Sequence, residues 1–331
     1  MSSINTNTSA MNALSTLRNV NSSLNQTQDR ISTGLKVSSG KDNASYFAIS
    51  ETMKGDSGMT KAVNESLTLT KNSIATARVG AEQFSALATE FREKVAFAQN
   101  SESGFDKIQD ELTNLVAEMA TTISQSTFNG DDLVNAAGTA KKDNAATPAD
   151  VTVVLDTQTG ALSYSGTGVI SDDATTSREV VTGVTRSGSF STTSIDVNSV
   201  NLHDMYEKFD ALATNFAAYA VGNHDADDGT TAALATGPAF LKGALASADT
   251  IVADAVNATT SLGLAEKSIE NQQDFLTKLS DNLDAGVGAM VDANMEEEAA
   301  RLQALQVQQQ LASQSLSIAN QAPQNILSLF R

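Results

Sequence analysis

The chain has 331 residues and a net charge of -18, with 40% hydrophobic and only 5% aromatic residues, no Trp and no Cys. Without Cys there is neither a disulfide framework nor a thiolate metal site, and the acidic balance argues against nucleic acid, whose phosphates need a basic surface. A core of Leu, Ile, Val, Met and Ala suits helix seams better than a large globule.

The charge is unevenly spread. Residues 1–40 carry Arg18, Arg30 and Lys36 against Asp29, and residues 299–331 carry Arg301 and Arg331 with no acid. Amphipathic ends nearly free of acid are expected to be covered surfaces, since free ends are normally solvated and charged. Met1 to Ala10 is polar, with no apolar h-region, and no run of about 18 apolar residues occurs anywhere. No membrane insertion is expected, and any export should use a route without a cleaved signal.

In chain order, the first expected helix carries Ile4, Met11, Leu14, Leu17, Leu24, Ile31 and Leu35, with Leu17, Leu24 and Ile31 seven apart. It should end near Thr33 and Gly34, and Ser38 to Asn43 reads as a loop of turn formers. After Gly58, the residues Val63, Leu67, Ile74, Ala77, Ala81, Phe84, Ala88, Phe91, Val95 and Ala98 recur three or four apart, with one step of seven, predicting a long helix from Met59 to Gln99. Ser101 to Gly104 breaks it. Phe105, Ile108, Leu112, Leu115, Met119 and Ile123 then predict an antiparallel return helix, closed by the turn Phe128-Asn129-Gly130.

From Gly138 the texture changes to short β-branched runs, Val151 to Leu155, Ala161 to Tyr164 and Glu179 to Thr185. With 13 Ser or Thr among the 30 residues from Ser171 to Val200, this is read as a small polar β-rich insertion. Met205, Phe209, Leu212, Phe216 and Tyr219 predict one helix, followed by an acidic loop from Gly222 to Gly237.

A second seam is read through Leu241, Ala248, Ala255, Leu262, Ile269, Leu276, Leu283 and Met290, then, past Glu297, through Ala304, Leu311 and Ile318. A sustained seven-residue repeat marks helices packed along their length, and as one helix this span would be ~115 Å long. Pro148 and Pro238 bracket the insertion, and Pro323 is placed to stop the last helix. The fold class is therefore mainly α, an elongated rod of long coiled-coil-like helices formed by both chain ends, with a small β-rich central insertion.

Sites of chemistry are sparse. His203 and His224 are the only histidines and lack a second ligand at helical spacing, so no metal site is expected. Asp225 to Gly229 resembles a calcium loop but has no Glu at the closing position. Gly166 and Gly168 form a lone GxG without a following helix start, and Glu296, Glu297 and Glu298 point in different directions on a helix. No catalytic residue, cofactor site or metal site is assigned, and an enzyme is not expected.

Two stretches carry a resemblance. Arg30-Ile31-Ser32-Thr33-Gly34-Leu35-Lys36-Val37 with Asp42-Asn43-Ala44, and Ala319 to Arg331 (ANQAPQNILSLFR), resemble the terminal signatures of bacterial flagellin. The similarity continues through Ser126 to Gly130 and Asp292 to Met295, covering roughly residues 1–135 and 240–331. It implies a structural subunit that polymerises into the flagellar filament, the helical propeller for swimming, secreted and extracellular. By resemblance the partners are further copies of the chain, alone or with other flagellins, together with the export apparatus and a chaperone, hook-associated proteins and the cap.

The resemblance also implies a domain division. Residues 1–40 with 298–331 would form a terminal coiled-coil filament core, 41–139 with 238–297 a helical rod, and 140–237 a surface-exposed variable module. Leu17, Leu24, Ile31, Leu35, Leu305, Leu311, Ile318, Ile326, Leu329 and Phe330 would form the interface between subunits. Asn294 stands where the family commonly has Asp. Along Glu90 to Phe97, aligned with the patch bound by the animal innate-immune flagellin receptor, Glu90 and Lys94 replace the usual residues beside Arg92, so weak recognition is expected. A hook-filament junction protein is the alternative reading, and an extracellular enzyme or adhesin on flagellin-like ends a remote one.

Overall fold

The computed structural model describes residues 7–130, 132–134, 152–155, 162–165, 177–185, 191–214, 216–222 and 237–329, with side chains of the last helix described to Gln321. Helix α1 spans Thr8–Thr33, α2 Ala44–Ala98 and α3 Phe105–Gln125. Strands β1 (Thr152–Leu155), β2 (Leu162–Ser165), β3 (Ser177–Thr185) and β4 (Ser191–Asn198) follow. Then come α4 (Leu202–Ala213), α5 (Phe216–Ala220), α6 (Gly237–Val291) and α7 (Met295–Leu329). The result is mainly α, with long helices from both chain ends and a small strand-bearing central region.

The chain divides into two compact units, one of residues up to Met59 with those from Lys278, the other Thr60–Thr277. In the second, α2 and α6 run antiparallel. Asn64 donates to Thr277 at 3.0 Å, Lys71 pairs with Glu270 at 2.8 Å, Arg78 with Glu266 at 2.7 Å and Arg92 with Asp249 at 2.9 Å, one number rising as the other falls. Helix α3 returns along α2 as expected, burying Phe105, Ile108, Leu112, Leu115, Val116, Met119 and Ile123. Lys94 bridges to Glu111 at 2.7 Å on the same face.

The aromatic residues gather here. Phe209 of α4 lies 4.6 Å from Phe91 and 6.3 Å from Phe84 between ring centroids, and Phe240 of α6 meets Phe216 at 5.7 Å and Tyr219 at 5.3 Å. These two targets explain why one expected helix is two. Thr214 is extended (φ -66, ψ 125) between α4 and α5, letting the aromatic residues before and after it reach different neighbours.

Strands β1 and β2 pair antiparallel, as do β3 and β4, the latter with a register shift between Val181 and Gly183. β4 lies in the Ser/Thr-rich stretch that showed no strand pattern, and its anchor is the buried Val197. Tyr164 of β2 hydrogen-bonds Ser247 of α6, and burial pushes its phenol up to about 12. Gln272 of α6 donates to the Thr182 carbonyl of β3 at 2.9 Å. The Gly222 to Gly237 loop, His224, Asp225 to Gly229, Gly166 and Gly168 lie mostly or wholly outside the described residues.

Two helix boundaries and one apolar phase depart from expectation. α2 begins at Ala44 rather than Met59, because the Asn43 side chain accepts from Ser45 N at 3.1 Å and Tyr46 N at 3.2 Å, capping it. Gly55 and Gly58 then sit in the helix with open space around them, at up to ~1 kcal/mol each. Pro323 does not stop α7, which continues to Leu329. The third departure concerns phase.

From Leu241 to Leu276 the seven-residue positions of α6 are buried as read. Beyond Leu276 the buried positions are Ser280, Val287 and Val291, and in α7 they are Glu298 and Ala312. The series has advanced by one residue. An α-helix drifts by ~20° per heptad against a strict repeat, so five heptads accumulate ~100°, one residue's turn. In α7, a separate helix, Leu311 and Ile318 lie outside the buried stripe, each 63% exposed.

Gly80 of α2 seats the end of α3. A Cβ there would lie 1.8 Å from Ser126 Oγ and 2.5 Å from its Cβ. Gly80→Ala is expected to destabilise the Thr60–Thr277 unit by about 1–3 kcal/mol, with most of the loss recovered in the double variant with Ser126→Gly. Urea unfolding checks this, and an unchanged midpoint for Gly80→Ala would show that the seat is not tight.

Candidate assembly interface

The first unit is built on α1 and α7. Asn7 caps α1, its Oδ1 accepting from Ala10 N at 3.0 Å, and Gly34 ends it in a left-handed conformation (φ 72), its N–H returning to the Arg30 carbonyl at 2.8 Å. Only glycine takes that conformation without strain. Asn294 accepts from Glu296 N at 3.1 Å at the start of α7. Asparagine and aspartate cap about equally well, so Asn294 serves as a full cap for α7.

Between these ends the helices pair antiparallel. Asn7 donates to the Ala319 carbonyl at 2.7 Å, Gln309 to Asn21 Oδ1 at 2.8 Å, and Arg30 bridges to Glu298 at 3.1 Å. The stripe of α1 facing inward is Ala13, Leu17, Val20, Leu24, Thr27 and Ile31, and that of α7 is Glu298, Leu302, Leu305, Gln309, Ala312, Leu316 and Ala319. Of these α1 residues, only Val20, Leu24 and Thr27 are fully buried. The seam is therefore thin, and three of its positions are polar.

Two backbone segments close the pair. Leu35 and Asp292 form an antiparallel bridge, Lys36 N donates to the Val291 carbonyl at 2.6 Å, Val37 N to the same carbonyl at 3.3 Å, and Ala293 N to the Gly34 carbonyl at 2.9 Å. Beneath them Val37, Val287 and Val291 are buried, packed by Leu35, Phe47, Met53 and Met290. The loop after Val37 is set by Asp42, whose carboxylate accepts from the backbone and hydroxyls of Ser38 and Ser39, the Ser38 N–H foremost in holding it below the usual carboxylate range. Further along, Ser57 donates to Asp284 at 2.7 Å and meets Ser280 at 3.1 Å.

The residues expected at a subunit interface separate into two groups. Leu24 is buried and Leu17, Ile31, Leu35 and Leu305 are half-buried within the pair, while Leu311 and Ile318 are exposed. Met11, Leu14 and Val307 are also exposed. The side chains of Ile326 and Leu329, and Phe330 altogether, lie outside the described residues. A cleft of about 770 Å³ between the helices is lined by Leu17, Asn21, Gln309, Gln314 and Ile318.

Glu90, Arg92 and Lys94 are not gathered into one patch. Arg92 is engaged by Asp249 of α6 and Lys94 by Glu111 of α3, which holds the Lys94 ammonium above its usual range, while Glu90 is exposed. His203 pairs with Glu207 at 3.1 Å and stacks on Tyr206. Among the described residues no group of three metal-ligating side chains gathers, and no helix is long and apolar enough to cross a membrane. The features missed in the sequence are Asn7, the Arg30–Glu298 pair and the Val37–Val287–Val291 cluster. The lone acid-flanked Arg30 in an acid-poor segment was the only signal for the pair.

A helix pair with apolar side chains on its outer as well as its inner face is laid out for packing by further helices, as in a structural polymer subunit. Residues 4–139 match the family described as the bacterial flagellin N-terminal helical region, and residues 245–330 the bacterial flagellin C-terminal helical region. Similarity extends over the whole chain to flagellin A of Rhizobium meliloti strain 1021, 35% identical over 398 residues, and to a flagellin of Brucella melitensis biotype 1, 33% identical over 332 residues. In both, 100% of each chain is covered. The chain belongs to the bacterial flagellin family. It is a structural filament subunit, and neither the family matches nor these relatives favour the hook-filament junction alternative.

Glu298 is 6% exposed, and its Oε2 has no hydrogen-bond partner. Removing Arg30 leaves a buried carboxylate with only Arg301 at 3.7 Å. Arg30→Ala is expected to weaken the α1–α7 pair by about 2–3 kcal/mol, whereas Arg30→Met with Glu298→Leu should cost under about 1 kcal/mol. Amide hydrogen exchange across residues 8–33 of the full chain reads this. Equal losses in both variants would mean that charge pairing is not what Glu298 requires.

Proposed function

We propose that the chain extends the flagellar filament by adding to the end of a growing polymer, with the α1–α7 pair as the part that neighbouring copies cover. The observation that supports this is the set of exposed apolar side chains Met11, Leu14, Val307, Leu311 and Ile318 on a pair whose own seam is thin. A marginal helix pair gains order when neighbours bury it, so folding of the ends is coupled to polymerisation. Repeated head-to-tail contacts that do not close produce an open helical filament.

In this reading residues 1–40 with 298–331 are the filament core, 41–139 with 238–297 the rod, and 140–237 the outward module. Leu17, Leu24, Ile31, Leu35 and Leu305 order the pair, while Leu311, Ile318, Ile326, Leu329 and Phe330 meet other copies. The subunit is secreted unfolded at its ends through the flagellar export apparatus with a chaperone, assembles beneath a cap, joins hook-associated proteins, and has no enzymatic role.

Purified full-length chain added to short filament seeds should elongate them under electron microscopy, and a variant lacking Gln308 to Arg331 should not. Stable binding at seed tips without elongation would instead identify a junction protein.

The surface from Glu90 to Phe97 is expected to be a poor ligand for the innate-immune flagellin receptor, because Arg92 and Lys94 are engaged within the subunit and Glu90 adds a negative charge. Strong receptor activation by low doses of monomer would refute this.

A further inference from the structure

α7 runs unbroken through Pro323 to Leu329. Proline has no backbone N–H, so the carbonyl four residues earlier, that of Ala319, has lost its helical donor. Asn7 stands at that carbonyl, its Nδ2 donating at 2.7 Å, while Oδ1 of the same amide accepts from Ala10 N at 3.0 Å. One planar side chain thus satisfies an orphan acceptor in the middle of α7 and an orphan donor at the start of α1.

We propose that Asn7 sets the register of the terminal helix pair, reading the single carbonyl of α7 that Pro323 leaves free. This rests on the filament-subunit reading only in that the register decides which outer faces neighbours meet.

A register device is needed here for a physical reason. Seven-residue repeats of Leu and Ala match themselves again after a slip of seven, so a thin apolar seam discriminates poorly between registers. Pro323 is the only proline in α7, hence only one carbonyl is orphaned in this way. A slip of seven that brought Asn7 to Ala312 would set it at a carbonyl already bonded within the helix, and a slip in either direction would leave Ala319 without a donor. Both penalties fall on the wrong register alone. The contacts Asn21 with Gln309 and Arg30 with Glu298 mark the same alignment further along.

The arrangement predicts coupling between residues distant in sequence. Asn7→Ser keeps an oxygen able to cap α1 but is too short to carry the donor to Ala319. Pro323→Ala restores the helical N–H and makes the Asn7 donor redundant. Full-length chains carrying each substitution and both are elongated from wild-type seeds, and the monomer left at steady state is measured. Asn7→Ser should raise it about fivefold to tenfold in the Pro323 background and less than twofold with Pro323→Ala. An equal rise in both backgrounds, which would reduce Asn7 to a simple helix cap, or no rise in either, overturns the proposal. If the parent chain does not elongate, it is the filament reading that fails. The same four chains are then compared by amide exchange across residues 8–33, where coupling supports the register role and additivity overturns it.

Discussion

Gly34 to Val37 lies antiparallel beside Val291 to Ala293, and the backbone bonds between them hold the end of one helix against the start of another. Leu35 pairs with Asp292, and the carbonyl of Val291 receives two amides. Because α1 ends and α7 begins at this stitch, it holds the two helices together at one end of their pair. The apolar filling beneath it, Val37, Val287 and Val291, is local and buried, whereas the pairing of α1 with α7 beyond it is thin and partly polar. Such a pair is stabilised mainly by what covers it, which suits a subunit that becomes ordered on joining a polymer.

The two units hold themselves together by different means. The Thr60–Thr277 unit has fully buried aromatic residues, Phe84, Phe91, Phe209 and Phe216, with a phenol raised by burial at Tyr164. Its surface is laced with α2–α6 ion pairs that fix the alignment of two long antiparallel helices. In the unit of the chain ends, polar contacts do a larger share of the specification. Arg30 with Glu298, Asn21 with Gln309 and Asn7 with Ala319 are spaced along a seam that leucine and alanine alone would leave ambiguous.

Buried polarity of this kind is a matter of specificity before stability. Glu298 has one oxygen without a partner, and a leucine there would pack at less desolvation cost. A polymer subunit, however, must present the same outer stripe in every copy, since a slip of seven residues would displace Leu311 and Ile318 by two helical turns.

Much of the architecture was legible in local signals. The three- and four-residue spacing of α3, the end of α1 at Gly34, the seam from Leu241 to Leu276 and three of four strands follow from side-chain periodicity and turn chemistry, which act within a few residues. Resemblance at Arg30 to Ala44 and Ala319 to Arg331 carried the family. What tertiary structure decided was non-local. α2 reaches back through two glycines to Ala44, where the Val37 cluster receives Phe47 and Met53. The apolar phase advances one residue because an α-helix of 3.6 residues per turn drifts against a strict heptad, and α7 passes Pro323 where Asn7, over three hundred residues earlier in the chain, supplies the missing donor. Periodicity says that a face is buried, but only the partner helix determines which residues of that face it meets, because register is an interaction between segments and not a property of either one.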